Sequence, residues 1–179
     1  LITLAPVVFV ALITRNVVLG AAFGFGLFFF ARGVGTGLGP ILARAYLKDE
    51  EAWPALIGYL IALSGLIYFL VGLSVPYALW TTVVLVIFAH SASGANWVLS
   101  TVMMQRWVED EVRGRVFSVD MMILSVAFSI STTVAGYLME NTDLGIRNGI
   151  LMFSSVMVLS GLIFSAWRPE NPEVVPHSV

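Results

Sequence analysis

Cysteine is absent from the 179 residues, charged residues make up only 11%, and there are just two histidines. Without cysteine there is no disulfide framework and no thiolate-ligated metal site. Nine basic residues against eleven acidic ones leave a net charge of −2, so the basic footprint that nucleic-acid binding requires is missing. Enzyme signatures are missing too. There is no H-E-x-x-H and no G-x-S-x-G, no close carboxylate pair lies inside an apolar run, and His90 is far from His177, which sits in the polar tail. The chain is therefore expected to be no enzyme, and to use no cofactor, no metal and no nucleic acid.

What is abundant is apolar side chain: 59% of the residues, with a mean hydropathy of +0.94. Soluble domains carry about 45–50% apolar and about 25% charged residues, so lipid is the expected solvent. A helix needs about 20 mostly apolar residues to cross a bilayer. Five runs qualify: Val17–Arg44, Ala55–Leu73, Tyr77–Met104, Val116–Met139 and Asn148–Trp167. A shorter run, Leu1–Thr14, lacks the basic flank and cleavage site of a signal peptide. It is read as the end of a truncated helix, which makes the chain an expected fragment. Barrel strands alternate in polarity over about 10 residues, whereas these runs are apolar all round. The fold expected is an all-α membrane bundle.

Polar punctuation separates the runs. Lys48–Glu51 is a charge cluster followed by Pro54 at a helix start, and Ser74-Val75-Pro76 makes a short hairpin. Arg106–Arg115 (RWVEDEVRGR) is the most charged stretch, and Glu140–Arg147 (ENTDLGIR) is a polar turn. The organisation expected is a bundle over residues 1–168 and an extended tail over 169–179 holding Pro169, Pro172 and Pro176. Cytoplasmic loops retain Lys and Arg. Arg44, Lys48, Arg106, Arg113, Arg115 and Arg168 fall on one side, against Arg15 and Arg147 on the other. That places RWVEDEVRGR and the C-terminus in the cytoplasm.

Arg32 is the most informative single residue. It lies twelve positions before Arg44, about 18 Å along a helix, and a charge at that depth needs a partner or a wet cavity. The alternative ends the span at Ala31, makes GVGTGLGP an interfacial loop and lets Arg32 snorkel; Val17–Ala31 alone is short for a bilayer of about 30 Å. The glycines at 33, 35, 37 and 39 fit no phosphate-loop pattern. They form two small-xxx-small pairs, Gly33/Gly37 and Gly35/Gly39, that let membrane helices approach closely.

His90 opens a polar stripe in the third run, followed by Ser93, Asn96, Trp97, Ser100, Thr101 and Gln105. Spacings of three, four and seven bring His90, Ser93, Trp97 and Ser100 toward one helical face. Two readings compete: a cavity wall in which His90 exchanges a proton, or a hydrogen-bonded structural histidine. In the fourth run Ser118, Ser125, Ser129, Thr132, Thr133 and Gly136 favour helix packing over ligand binding. Asp120 is expected in that helix's first turn beside Arg113 and Arg115, where the positive helix end suits a carboxylate.

Two stretches carry a family resemblance. Asn96–Ser118, reading NWVLSTVMMQRWVEDEVRGRVFS, resembles the junction between the tenth and eleventh helices of major facilitator superfamily transporters, within the enterobactin-exporter-like branch of bacterial drug and siderophore exporters. Ala31–Arg44, reading ARGVGTGLGPILAR, resembles that family's eighth helix. The resemblance implies the C-terminal six-helix half of the fold, with a missing N-terminal six-helix half as partner and alternating access as the mechanism. It also implies that Arg113, Gly114 and Arg115, with Asp120 nearby, belong to a gate loop. The family's loop after this helix carries an Asp, and GPILARAYLKDEEAW has Arg44 but no Asp at the matching place.

The function expected is proton-coupled efflux of small amphipathic or siderophore-like molecules across a bacterial inner membrane. Arg32, His90, Ser93, Asn96 and Trp97 would line the substrate and proton cavity. Two other readings are a membrane scaffold without transport and a half-size transporter acting as a homodimer.

Overall fold

The computed structural model describes residues 17–46, 52–74 and 79–167, and these form five α-helices. They are α1 (Val17–Tyr46), α2 (Trp53–Ser74), α3 (Leu79–Trp107), α4 (Asp110–Asn141) and α5 (Gly145–Ala166). The Leu1–Thr14 run, the Lys48–Glu51 cluster, Val75-Pro76 and the tail from Arg168 lie outside the described residues. All five helices are long and apolar enough to cross a membrane. Phe30, Phe128 and Ile163 are each about two-thirds exposed or more, a surface suited to lipid or to further helices and poorly suited to water. The all-helical membrane bundle read from the sequence is what the residues form.

Helix α3 packs between α1 and α2, and α2 packs on its other side against α5. Two apolar clusters fill these seams. One joins Ala31, Val71, Leu79, Val83 and Val86; the other joins Trp53, Ile57, Leu99 and Met103. Helix α4 meets only the ends of its neighbours α3 and α5 and has no buried residue.

The seams are close because small residues line them. A side chain at Gly35 would strike the Ile87 carbonyl and one at Gly39 the Ser91 carbonyl, both in α3, while Gly94 of α3 faces the Thr36 carbonyl of α1. That carbonyl is special: its helical partner is position 40, and Pro40 has no N–H to give. Gly33 and Gly37, at the same spacing, face open space. On the other flank Gly58, Ala62 and Gly65 of α2 meet Ser154, Gly161 and Ser165 of α5 backbone to backbone.

GVGTGLGP is helical within α1, as the continuous Val17–Arg44 run implies, and the interfacial-loop alternative is set aside. One expectation is corrected. Helix α4 begins at Asp110, so Arg113, Gly114 and Arg115 lie on a helix and not in a loop, and Asp120 is well past its first turn. Asp110 and Glu111 take the first turn in its place, where carboxylates suit the helix's positive end, and Arg113 forms an ion pair with Asp110 one turn back. The α4 hydroxyls also depart from the packing expected of them. Ser125, Ser129, Thr132 and Thr133 are exposed and donate to carbonyls four residues back in their own helix.

Candidate functional site

Two helices bring hydrogen-bonding groups together at the edge of the first apolar cluster, and a third, α1, carries an exposed charge beside it. Helix α1 places Arg32 one turn before Gly35, and because Gly35 has no side chain, α1 lies directly on α3 beside His90; a Cβ at Gly35 would sit 2.8 Å from that of His90. Helix α2 supplies Tyr68, whose hydroxyl is 2.6 Å from His90 Nε2. The two rings meet edge to face, 87° apart, with centroids separated by 5.7 Å. Arg32 itself is exposed on α1, next to Ala31 of the buried cluster. Its guanidinium stands 6.0 Å from the Phe29 ring centroid, at the outer limit of a cation–π contact, and no acidic side chain among the described residues pairs with it.

The α2–α3 seam is tied by polar rungs along its length. One turn before Tyr68, buried Ser64 donates to the Ala89 carbonyl at 3.0 Å. Toward the far end Ser74 and Thr82 share a hydrogen bond of 2.9 Å. In apolar surroundings each polar side chain needs a partner, so these rungs also fix the helices' register. Tyr68 and Ser64 went unnoticed in the sequence because the run around them reads as Leu, Ile and Gly. The available signal was their spacing of four, which puts two hydrogen-bonding groups on one face of an otherwise apolar helix.

The polar stripe of α3 divides. His90 turns to Tyr68 and stays half-buried, as do Ser93 and Asn96. The Asn96 Oδ1 is shielded and has no hydrogen-bond partner among the described residues. Trp97 turns to α4, is 53% exposed, and lines a cleft of about 620 Å³ with Met121, Leu124, Ser125, Phe128 and Ser129. The structure thus joins His90 to Tyr68, leaves Arg32 exposed on α1 beside the Phe29 ring, and separates His90 from Trp97.

The residues at the start of α4 form a group apart. Arg113 donates through Nη2 to the Val108 carbonyl at 3.1 Å in addition to its pairing with Asp110. Gly114 and Arg115 are exposed and Asp120 is half-buried. Among the described residues no three His, Asp or Glu side chains gather as a metal site would require.

Accessibility to water tests this division. With no native cysteine in the chain, single thiols at Trp97 and at Ser64 report on one position each. A water-soluble maleimide is expected to label Trp97→Cys readily and Ser64→Cys hardly at all, because Ser64 is fully buried and Trp97 faces the open cleft. Equal labelling rates would show that the Trp97 cleft is no wetter than the helix seam.

The family model described as Major Facilitator Superfamily matches residues 3–178. No curated protein and no solved structure gives a significant match.

Proposed function

Because the chain belongs to the major facilitator superfamily, a family of membrane transporters, we propose that it supplies the C-terminal half of a secondary transporter that exports small amphipathic or siderophore-like molecules in exchange for protons. An integral membrane protein of this family acts by moving helices around a central passage. The observation that carries the proton-coupled reading is the pairing of Tyr68 and His90 from two helices at the edge of an apolar cluster, with Arg32 on the adjoining helix α1. Histidine is the side chain whose ordinary proton exchange lies nearest neutral pH, and ionisable residues inside membrane spans mark function by default.

The parts have distinct tasks in this reading. His90 carries the coupling proton, and Arg32 supplies a fixed positive charge that repels the protonated ring and so links proton occupancy to the α1–α3 seam. Ser93, Asn96 and Trp97 continue the passage wall along α3, with Trp97 offering an aromatic face to an apolar part of the substrate. Arg113, Gly114, Arg115 and Asp120 act at the cytoplasmic gate, where charged α4 residues sit at the membrane border. The tail and the Arg44 and Arg106 helix ends are on the cytoplasmic side of a bacterial inner membrane, and the partner of this bundle is the N-terminal six-helix half. Distribution of basic residues supports the orientation, and the Ala31–Arg44 and Asn96–Ser118 stretches support the choice of half.

The test is efflux from proteoliposomes that hold the transporter containing this chain. His90→Ala and Arg32→Ala are each expected to lower proton-gradient-driven efflux several-fold while leaving substrate binding measurable. Full transport in both variants removes these residues from the mechanism. Efflux that never responds to a proton gradient in the unaltered protein removes the coupling, and no transport of any amphipathic substrate favours the scaffold.

A further inference from the structure

The Tyr68 hydroxyl has a single hydrogen-bond partner among the described residues, His90 Nε2 at 2.6 Å. Its surroundings are otherwise apolar: it packs against the cluster of Ala31, Val71, Val83 and Val86 on one side and lines a cleft walled by Met139, Ile150, Phe153 and Met157 on the other. A phenolic O–H that has one acceptor in reach and hydrocarbon elsewhere donates to that acceptor, since leaving it unmade costs about 1–3 kcal/mol. We propose that Tyr68 is the positioning residue of His90: its hydrogen goes to Nε2, holds the neutral ring as the Nδ1–H tautomer, and ties the proton-exchanging position of α3 to α2.

The neighbouring rung makes this a fixed arrangement. Ser64, four residues before Tyr68 on α2, grips the carbonyl of Ala89, the residue just before His90. Two bonds from one face of α2 therefore hold adjacent residues of α3, and the edge-to-face ring contact limits rotation of the imidazole. His90 Nδ1 has no protein partner among the described residues, so its N–H is left for water or substrate. The nearest charge on a helix packed against the pair is the exposed Arg32 of α1, and no carboxylate among the described residues forms a hydrogen bond or ion pair with His90 or Tyr68.

A consequence follows for proton uptake. A second proton on the ring must arrive at Nε2, the nitrogen that Tyr68 occupies. The proton is delivered by a hydronium ion, whose O–H bond breaks as the Nε2–H bond forms; the tyrosine O–H turns into the cleft that Tyr68 lines with Met139, Phe153 and Met157, and its oxygen accepts from the new Nε2–H. The hydrogen bond persists with its direction reversed. Proton occupancy is in this way registered by the tyrosine as well as by the histidine, and α2 shares in the change.

This rests on His90 acting as the proton carrier, and the test separates the two. The transporter is labelled with ¹⁵N-histidine, and the His90 resonances are assigned by their loss in His90→Ala. The expected spectrum shows Nδ1 protonated and Nε2 unprotonated in the resting protein. Tyr68→Phe keeps the ring packing and removes the hydroxyl; it is expected to give a mixture of tautomers and a displaced pH profile for efflux with several-fold lower turnover. An Nε2–H resting tautomer, or an unchanged tautomer and pH profile in Tyr68→Phe, overturns the positioning role. Unaltered transport in His90→Ala with the expected spectrum intact leaves the positioning in place and removes the proton-carrier reading.

Discussion

Gly39→Leu is expected to separate α1 from α3 and to reduce the folded-to-unfolded ratio by about a hundredfold, whereas Gly37→Leu is tolerated. The two glycines are two residues apart on one helix, so helix propensity treats them alike. Their surroundings do not. A side chain at Gly39 runs into the Ser91 carbonyl and lies 2.7 Å from the Ala95 amide nitrogen, both backbone atoms that cannot swing aside. At Gly37 nothing lies within 4 Å. Overpacking a close seam costs about 1–3 kcal/mol and occasionally more, and 3 kcal/mol corresponds to about a hundredfold in an equilibrium. Drawing α1 back also withdraws the Thr36 carbonyl from Gly94. With Pro40 unable to bond that carbonyl, the Gly94 contact is the nearest compensation it has, of the weak C–H···O type. The check is unfolding of the membrane-reconstituted protein in mixed micelles of rising denaturing detergent, with the midpoints of the two variants compared. Similar midpoints would mean that α1 and α3 do not meet at Gly39.

The same pair of glycines shows what was legible from sequence and what was not. Uncharged runs of about 20 residues announce membrane helices because water is absent from the bilayer core and only helices satisfy their own backbone. Small-xxx-small spacing announces close packing, but Gly33/Gly37 and Gly35/Gly39 carry that spacing equally, and only the neighbour decides which pair is used. Arg32 and His90 stood out because ionisable groups are rare inside such runs. Tyr68 did not, since a lone tyrosine near a helix end is commonplace at membrane borders. The start of α4 was misplaced for a different reason. Hydropathy places the border of the apolar run at Val116, while the Asp110–Arg113 pair and the acidic first turn continue the helix beyond that border. Trp97 shares a face with His90 on an ideal helix; once α2 covers the His90 side of α3, Trp97 is left facing the open cleft toward α4, and the two residues have different surroundings.

Gly161→Leu and Gly58→Leu test the opposite flank, and there the informative result is that the two penalties do not add. Gly161 is placed so that a side chain would lie 2.6 Å from the Gly58 carbonyl, and one at Gly58 would lie 2.7 Å from the Gly161 carbonyl and 2.5 Å from the Ser165 amide nitrogen. Each glycine is thus the other's contact, and either leucine alone forces α2 and α5 apart at a cost of about 3 kcal/mol. Once they are apart the second leucine meets little, so the double variant is expected to be only slightly less stable than either single one, a coupling of about 1–3 kcal/mol. Penalties that simply sum would show that the two positions do not face one another. Transport distinguishes this damage from damage to the mechanism. Helix α5 carries none of Arg32, Tyr68 or His90, so the efflux rate per folded molecule should stay close to that of the unaltered protein in Gly161→Leu even as the folded fraction falls. His90→Ala should differ in kind: it costs the Tyr68 hydroxyl its partner, about 1–3 kcal/mol, but drives no helices apart, and the rate per folded molecule drops. A Gly161→Leu protein that is fully folded yet inactive would mean that the α2–α5 seam itself moves during transport, and that the rungs joining α2 to α3 pass that movement on to His90.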